Sequence, residues 1–311
     1  MPLQSETLIR SLLGRPATRP GHSSMADWFA YFCTNTADIH LCIDQAIVGG
    51  RISNNMSFAF AAGYQSAIQS LFKPETRQLA SLCVSEKHEG KHGNHPRLIQ
   101  SSLTQQNDQR SLNGSKSFIT GACEAEFLYI ACSTGSNKDH RPNIKMLALP
   151  ANQPGIQISE TAKLSFVPEV SHGEACFSDV IIANQQILPG DGYLDYIKPF
   201  RTIEDIHVFA AVLGFLLGQA MDSNWQHSSI ERILSLLVTL RTIGHMPGNQ
   251  ASTHLVLAGC RSQMESLIAE TDDEFKQLSP ESYADWQRDK ALLSIASKAH
   301  QARTQKAWMQ F

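Results

Sequence analysis

The chain has 311 residues, 42% of them hydrophobic, and carries a formal net charge of −3 at pH 7. This length can bury a substantial core, in one large domain or in two to three smaller ones. The slightly acidic balance excludes the strongly basic surface that is typical of proteins binding nucleic acid or anionic membranes.

No apolar run reaches the roughly 18 residues that a bilayer-spanning helix needs, so the sequence predicts no membrane span. The N-terminal segment has no apolar core of the signal-peptide kind, and we expect a cytoplasmic protein. The seven cysteines are odd in number and form no C-x-x-C pair. They favour reduced core thiols, and we predict no metal site from them.

Residues 1–78 are predicted to form a helical N-terminal region. Two stretches, DIHLCIDQAI and MSFAFAAGYQSAIQSLF, place apolar residues at i, i+3 and i+4 spacing. This period is typical of helices that bury one face.

Residues 79–190 are predicted to form a β-domain, because the apolar period shifts toward two. Turn signals separate short apolar runs, and Asn113-Gly114 is interpreted as a tight turn between two strands. The pattern favours a small barrel or sandwich. The runs are LASLCVSE, FLYIACS, KMLALP, GIQIS and EACFSDVII.

Residues 191–311 are predicted to form a C-terminal helical bundle. The segment from Ile206, IHVFAAVLGFLLGQAM, is apolar nearly all round and indicates a buried helix. Ser279-Pro280-Glu281 is a start signal for a long last helix, with proline at the first helical position. The predicted fold class is therefore α+β and multidomain: a helical N-terminal region, a central β-barrel-like domain and a C-terminal antiparallel helix bundle. Because the apolar helix must be covered, we also expect an oligomer.

Three motifs, in this order, resemble the acyl-CoA dehydrogenase family. LNGSKSFITG resembles the family pattern L-N-G-x-K-x-[WF]-I-T-[NG]. KLSFVPEVSHGEACFSDVIIANQQILPG resembles the later K-L-G…F-x-D-V-x-V-P…L-L-G segment, and FAAVLGFLLGQA is similar to the A-A-x-x-L-G that opens the family's C-terminal bundle. The resemblance covers the chain from about Ile39 to its C-terminus and implies the acyl-CoA dehydrogenase fold.

The resemblance implies an FAD-dependent oxidoreductase acting on an acyl thioester, carried on CoA or on an acyl carrier protein. Such enzymes remove hydrogens from the α and β carbons and pass a hydride to the flavin. In the family, the aromatic residue of the first motif packs on the flavin, and the threonine two residues later bonds near its N5. Here these residues are Phe118 and Thr120. Taken without the resemblance, they are interpreted as a core residue and a turn cap.

The upstream loop SEKHEGKH departs from the family's T-E-P-x-x-G-S-D. Ser85 takes the place of the flavin-binding threonine, and Glu86 is kept, while basic residues stand where the family has Pro, Ser and Asp. A metal site is a second interpretation of this loop, but it offers no carboxylate partner beyond Glu89, and a solvated polar loop is favoured. The histidines concerned are His88, His92 and His95.

Two further family motifs do not occur in this sequence. R-x-x-F-G and G-G-x-G-[YF], which hold the FAD phosphates, are both missing, and this weakens the expectation of tight FAD binding. The glutamate of Y-E-G-T, the usual base, is missing too. Some relatives carry the base in an E-R pair before A-A-x-x-L-G, and that alignment makes Glu204 the candidate general base, with Asp205 in place of Arg. The alternative role of Glu204 is a first-turn carboxylate that stabilises the helix dipole.

Two functional hypotheses follow from these residues. In the first, the protein is an acyl-CoA dehydrogenase-like flavoenzyme, either alone or completed by a partner subunit that supplies the missing motifs. In the second, it is a degenerate, non-catalytic relative that serves as a scaffold or partner subunit. Acyl-CoA or acyl-carrier-protein thioesters are the expected ligands, and FAD is the expected cofactor.

Overall fold

The structure, a computed structural model, describes residues 5–14, 18–87, 98–136 and 142–311. The chain forms two compact units. The helical unit consists of Met1–Lys73, Ser165–Glu169 and Arg201–Phe311, and the β-unit consists of Pro74–Leu164 and Val170–Phe200. The division at 78/79 and 190/191 stays a prediction about domain organisation.

The helices occupy the two regions in which the apolar period predicts them. A short π-helical segment, Gly192–Ile197, leads into α5, and a 3₁₀ segment, Lys290–Ser294, follows α9. The helices are α1 (Ser5–Leu13), α2 (Met25–Asn35), α3 (Cys42–Ile52), α4 (Met56–Phe72), α5 (Lys198–Asp222), α6 (His227–Ile243), α7 (Ala251–Glu270), α8 (Asp272–Lys276), α9 (Pro280–Asp289) and α10 (Ser297–Trp308).

Helix α5 is the buried helix that the sequence predicts. Ala210, Ala211, Val212 and Leu213 have no exposed surface. The covering comes from within the chain, so the argument that this helix requires an oligomer was wrong; an oligomer stays a prediction. The stretch 192–222 is long and apolar enough to cross a bilayer by length and composition, because an 18-residue window within it has a mean hydropathy of 1.4. Inside the chain, however, 78% of that window is buried.

Glycines allow α5 to touch α3 and α4 backbone to backbone. A Cβ atom at Gly50 of α3 would lie 1.8 Å from the carbonyl oxygen of Ala211, and one at Gly214 of α5 would lie 2.2 Å from the carbonyl oxygen of Ile47. At Gly63 of α4, a Cβ atom would lie 2.5 Å from the Cα of Val208. No side chain fits at these three crossings, so α5 is seated directly on its neighbours.

The last predicted helix is interrupted. Its start is confirmed, because Ser279 accepts a hydrogen bond from the backbone N–H of Ser282 at 3.1 Å and Pro280 is the first helical residue. The 3₁₀ segment then separates α9 from α10. The buried Asp289 at this break accepts a hydrogen bond from the backbone N–H of Val167 at 2.8 Å. This long-range contact holds the break, and the local sequence carries no signal for it.

The β-unit contains one seven-stranded sheet among the described residues. Its order is β1-β4-β2-β3-β7-β6, and β5 pairs with β4. β1 runs parallel to β4, whereas β3 is antiparallel to both β2 and β7. The strands are β1 (Ala80–Cys83), β2 (Ser102–Gln106), β3 (Gln109–Thr120), β4 (Phe127–Ser136), β5 (Pro142–Pro150), β6 (Ile156–Glu160) and β7 (His172–Ile182).

The interpretation of Asn113-Gly114 as a turn was wrong. Both residues lie inside β3, at a register shift between Leu112 and Gly114. Asn113 instead bonds across to β7, where its side chain donates to the Asp179 carboxylate and accepts from the Asp179 backbone N–H, both at 2.9 Å. Gly114 has a φ of +131°. The residue pair that favours tight turns therefore serves a β-bulge here, because both features need the same backbone freedom.

The order of helices, then a β-domain, then helices confirms the predicted fold class.

Candidate functional site

A second bulge between β3 and β7, with its extra residue on β3 and not on β7 as at Asn113, determines where Phe118 lies. Lys116 pairs with Ala175 of β7 and Ile119 pairs with Gly173, so β3 carries one more residue than its partner over this interval. Phe118 adopts a φ of +55°, which is uncommon for an aromatic residue, and its side chain is 67% exposed. The ring therefore lies on the surface of the β-unit, and the alternative interpretation as a core residue was wrong.

Beside this exposed ring lies a buried hydroxyl group without a partner. Ser117 is 3% exposed, and its Oγ makes no hydrogen bond to any described residue. Its backbone N–H donates to the Ser85 carbonyl oxygen at 2.8 Å, which joins the loop after β1 to β3. A buried hydroxyl left unpaired costs about 1–3 kcal/mol, so this group marks a place where a polar ligand atom would be stabilising.

A buried ion pair fixes the loop that carries Ser85. The Lys116 ammonium donates to the Glu86 carboxylate at 2.6 Å, and neither side chain is more than 3% exposed. Glu86 also accepts from the backbone N–H groups of Gln100 at 2.6 Å and Ser101 at 3.0 Å. Burial by itself would raise the pKa of Glu86, but Lys116 and these hydrogen bonds hold it below its ordinary value. The pair holds the loop against β3, so Ser85 and Ser117 keep their places.

Thr120, the last residue of β3, has a hydroxyl whose partner defines its role. Its Oγ1 lies 3.4 Å from Nε2 of His172 on β7, and Nδ1 of His172 lies 3.1 Å from the Val170 carbonyl oxygen. A carbonyl oxygen only accepts, so we assign the proton to Nδ1, and Nε2 then accepts from Thr120. Burial lowers the pKa of His172, which keeps the ring neutral. The Thr120 oxygen therefore retains its lone pairs for a further donor.

These features give β3 a short ligand-facing edge. An exposed ring, an unpaired hydroxyl and a threonine oxygen that still accepts follow one another within four residues, and the Lys116–Glu86 pair holds Ser85 beside them. A flat, heteroatom-rich ring system such as a flavin fits this donor and acceptor set. The histidines of the predicted metal alternative lie in residues 88–97, outside the described residues. The part of the chain that the structure describes contains no cluster of metal-ligating side chains.

In the helical unit, Glu204 lies further along its helix than the sequence indicates. α5 begins at Lys198, six residues earlier, so Glu204 belongs to the second turn and not to the first. The helix dipole acts mainly within the first turn, which weakens the alternative role as a dipole partner. Burial of its carboxyl group, together with the charge of Asp205, raises the pKa of Glu204 to about 8, and Arg201 and Arg303 only partly oppose this.

Asp205 is paired across the bundle with α10. Its carboxylate forms an ion pair with Arg303, and Nδ1 of His300 lies 3.4 Å away. Burial raises the pKa of Asp205 to about 7, although Arg303 and Arg261 lower it. Burial and these two arginines depress the pKa of His300 to about 3, so the imidazole is neutral at physiological pH. Arg303 of α10 thus supplies the cation that pairs with Asp205 of α5.

A cavity of about 450 Å³ lies between α7 and α10 and reaches this cluster. His300, Arg303 and Arg261 line it, together with Trp308 at its rim. Sequence reasoning identified none of these residues. The only available signal was Asp205 itself, an acidic residue in a position where the family carries a cation. The prediction that Glu204 faces Phe118 and Thr120 concerns two separate units and stays a prediction.

Known protein families and solved structures that are similar to this chain agree with this architecture. The family model of the acyl-CoA dehydrogenase middle domain matches residues 81–180. Similar solved structures include butyryl-CoA dehydrogenase from Megasphaera elsdenii, with a TM-score of 0.65, 16% identity, and 86% of this chain and 81% of that chain covered. A structure described as an FAD-dependent dehydrogenase has a TM-score of 0.72 and 15% identity, with 100% of both chains covered.

A further similar solved structure is named for an acyl carrier protein substrate. The prolyl acyl carrier protein oxidase AnaB has a TM-score of 0.65 and 13% identity, with 97% of this chain and 89% of that chain covered. No curated protein sequence matched the chain. The fold is that of the acyl-CoA dehydrogenases and related flavoproteins. Residues 81–180 match the acyl-CoA dehydrogenase middle domain, and the solved structures share the fold of the chain around it.

Proposed function

We propose that this protein is an acyl-CoA dehydrogenase-like flavoprotein that oxidises the CH–CH bond next to the carbonyl of an acyl thioester. The ligand-facing edge of β3 is the observation that carries the proposal. An exposed aromatic ring in a left-handed backbone conformation is uncommon, and here it adjoins an unpaired buried hydroxyl. The similar structures include a butyryl-CoA dehydrogenase and an acyl carrier protein oxidase, which supports a thioester on either carrier.

In this proposal the β-unit holds FAD. Phe118 would pack against the flavin ring system, and the hydroxyl groups of Ser117, Thr120 and Ser85 would form hydrogen bonds with its polar atoms. His172 keeps the Thr120 oxygen free to accept, because its Nε2 accepts the hydrogen bond that the Thr120 hydroxyl donates. FAD, when bound, supplies the acceptor for the hydride that leaves the β-carbon of the substrate.

The helical unit supplies the base in this proposal. The α-proton of a thioester is a weak acid, so its removal needs a carboxylate within reach. The Glu204 carboxylate would take this proton, and the electron pair of the broken C–H bond at the α-carbon would form the new double bond. The hydride would leave the β-carbon with the electron pair of its own C–H bond, for the acceptor that FAD supplies when bound. The raised pKa of Glu204 makes it a stronger base than an ordinary glutamate, at the cost of being mostly protonated at pH 7.

The flavin face is tested by titrating the purified full-length chain with FAD and following the visible spectrum. Phe118→Ala is expected to weaken FAD binding by tenfold or more, about 1.4 kcal/mol, because the ring is the largest contact surface offered. Since Phe118 is exposed, the variant should lose less than about 0.5 kcal/mol of stability. Ile181→Ala is the matched control. It removes another exposed apolar side chain from the same sheet, 49% exposed on β7, and should leave the titration unchanged.

The experiment also distinguishes the two hypotheses. Saturable FAD uptake that is followed by bleaching on anaerobic addition of an acyl-CoA or acyl-carrier-protein thioester supports the enzyme. Uptake without bleaching at any pH supports the non-catalytic partner subunit. If the wild-type chain takes up no FAD, or if Phe118→Ala and Ile181→Ala bind it equally well, the flavin face as assigned is wrong. We extend the proposal to a cytoplasmic, oligomeric protein, for which size measurements in solution are the direct test.

A further inference from the structure

A buried arginine whose guanidinium forms no hydrogen bond with any described residue lies in α3, well away from Glu204. Arg51 is 3% exposed, and its Nε, Nη1 and Nη2 atoms form no hydrogen bond with any residue that the structure describes. A guanidinium has five N–H donors and stays charged in proteins. Burying a charge without hydrogen bonds or a counter-ion is strongly unfavourable, so Arg51 requires an explanation.

A second guanidinium approaches the same point. Arg19, in the segment before α2, pairs through Nη2 with the Asp222 carboxylate at the end of α5, but its Nη1 is buried and has no partner in the described chain. A Cβ atom at Gly218 of α5 would lie 3.3 Å from Nη1 of Arg19 and 3.4 Å from Nη1 of Arg51. Both positively charged heads therefore face the same turn of α5, where glycine lets them approach the backbone.

The charges at this corner do not balance. Burial lowers the pKa of Arg51, Asp222 raises it in part, and Arg19 lowers it further. Two guanidinium groups thus share one carboxylate, and Arg19 already bonds to it. The C-terminal ends of α3 and α5 favour a cation nearby. That preference does not satisfy the donors, because no carbonyl oxygen of the described residues accepts from Arg51.

We propose that Arg51 and Arg19 form a binding site for a small oxyanion, a phosphate or a carboxylate, at the end of α5 opposite to Glu204. Oxyanions of this kind accept two parallel hydrogen bonds from a guanidinium fork, and they would supply the missing negative charge and the missing acceptors together. Gly218 follows Glu204 by 14 residues, about 21 Å along the helix. The site is thus independent of the proposed flavin chemistry, and it would tie the chain segment of Arg19 to α3 and α5.

The test is thermal unfolding of the full-length chain at fixed pH and ionic strength, with sodium phosphate or sodium acetate replacing sodium chloride. A saturable rise in Tm, about 3 °C at tenfold excess over Kd, is expected with phosphate or with acetate but not with chloride. The anion that raises Tm, phosphate or acetate, identifies the class of oxyanion that the site binds. Arg51→Met, which keeps an apolar stem without the charge, should abolish the rise. Arg51→Lys, which keeps the charge without the fork, should move the half-saturating concentration upward by tenfold or more.

Two further variants complete the test. Arg232→Met removes an exposed arginine that pairs with Glu270, and this control should keep the wild-type response. Arg19→Met should reduce the rise in Tm, and it replaces Arg51→Met as the test if that variant does not fold. Equal Tm values in phosphate, acetate and chloride would overturn the proposal. So would a saturable response that persists unchanged in the Arg51 and Arg19 variants.

Discussion

The raised pKa of Glu204 beside Asp205 leads to a prediction about how the reaction rate depends on pH. With a pKa of about 8, Glu204 is roughly one-tenth deprotonated at pH 7 and roughly nine-tenths at pH 9. If Glu204 is the base, the rate of acyl-dependent flavin reduction should rise about tenfold between these values and then level off. Anaerobic single-turnover bleaching of the flavin from pH 6 to pH 9.5 measures this rising limb of the pH–rate profile. Glu204→Gln should lower the rate by about 10² to 10⁴ at every pH.

Asp205→Asn is the diagnostic perturbation of that limb. The substitution removes the negative neighbour that raises the pKa of Glu204, and it frees Arg303, whose charge lowers that pKa. Both effects have the same sign, so the limb should move to lower pH by about one unit and the rate at pH 7 should rise several-fold. Asp273→Asn, which changes an aspartate whose side chain is 81% exposed on α8, is the control and should leave the limb in place. A limb that is the same in Asp205→Asn and wild type would refute the coupling.

Stability gives a second measurement of the same pKa that does not depend on flavin. A carboxyl whose pKa is raised on folding stabilises the native state fully below its unfolded pKa, and this contribution is lost as the pH rises through the folded value. For Glu204 the loss falls between about pH 4.5 and pH 8. Glu204→Gln does not titrate, so the stability of the variant relative to wild type should increase across this range in urea unfolding. A difference that stays constant from pH 5 to pH 8 would show that the pKa of Glu204 is not raised.

Two structural predictions concern packing. Lys116→Met should lower the free energy of unfolding in urea by about 3–5 kcal/mol, because it leaves the Glu86 carboxylate buried without its cation. Adding Glu86→Gln should recover part of this loss. A loss below about 1 kcal/mol would mean that the pair is exposed in solution. Gly50→Ala should lower the free energy of unfolding by about 1–3 kcal/mol or more, because the added Cβ meets the α5 backbone. Gly259→Ala, whose Cβ would have nothing within 4 Å, should stabilise α7 by about 0.5–1 kcal/mol. Equal effects of the two alanines would contradict the close crossing.

The sequence predicts the elements whose signals are local. α5 is apolar on every face, and α9 begins with a serine cap followed by proline, so both follow from short stretches of chain. Asn113-Gly114 could not be assigned correctly in this way. The same two residues suit a turn or a bulge, and the choice depends on Asp179, which is 66 residues away. The break after α9 likewise depends on a distant backbone group.

The candidate site could be predicted only in part, for a similar reason. The resemblance identifies Phe118 and Thr120, but the exposure of Phe118 results from a bulge that is defined by pairing with β7. A lysine on a strand, such as Lys116, is expected to face solvent. Its burial follows only from its contact with Glu86, 30 residues earlier in the chain. Arg303 compensates Asp205 from 98 residues away, and no spacing rule relates two such positions.

The glycine crossings of α5 have a mechanical consequence. With backbones in close contact at Gly50, Gly214 and Gly63, a rotation of α5 would bring a side chain to a crossing that has no room for one. Glu204 lies on this helix. Its position along the axis is therefore dictated by three residues without side chains on α3, α4 and α5, and enlarging any of them would displace the carboxylate from a distance.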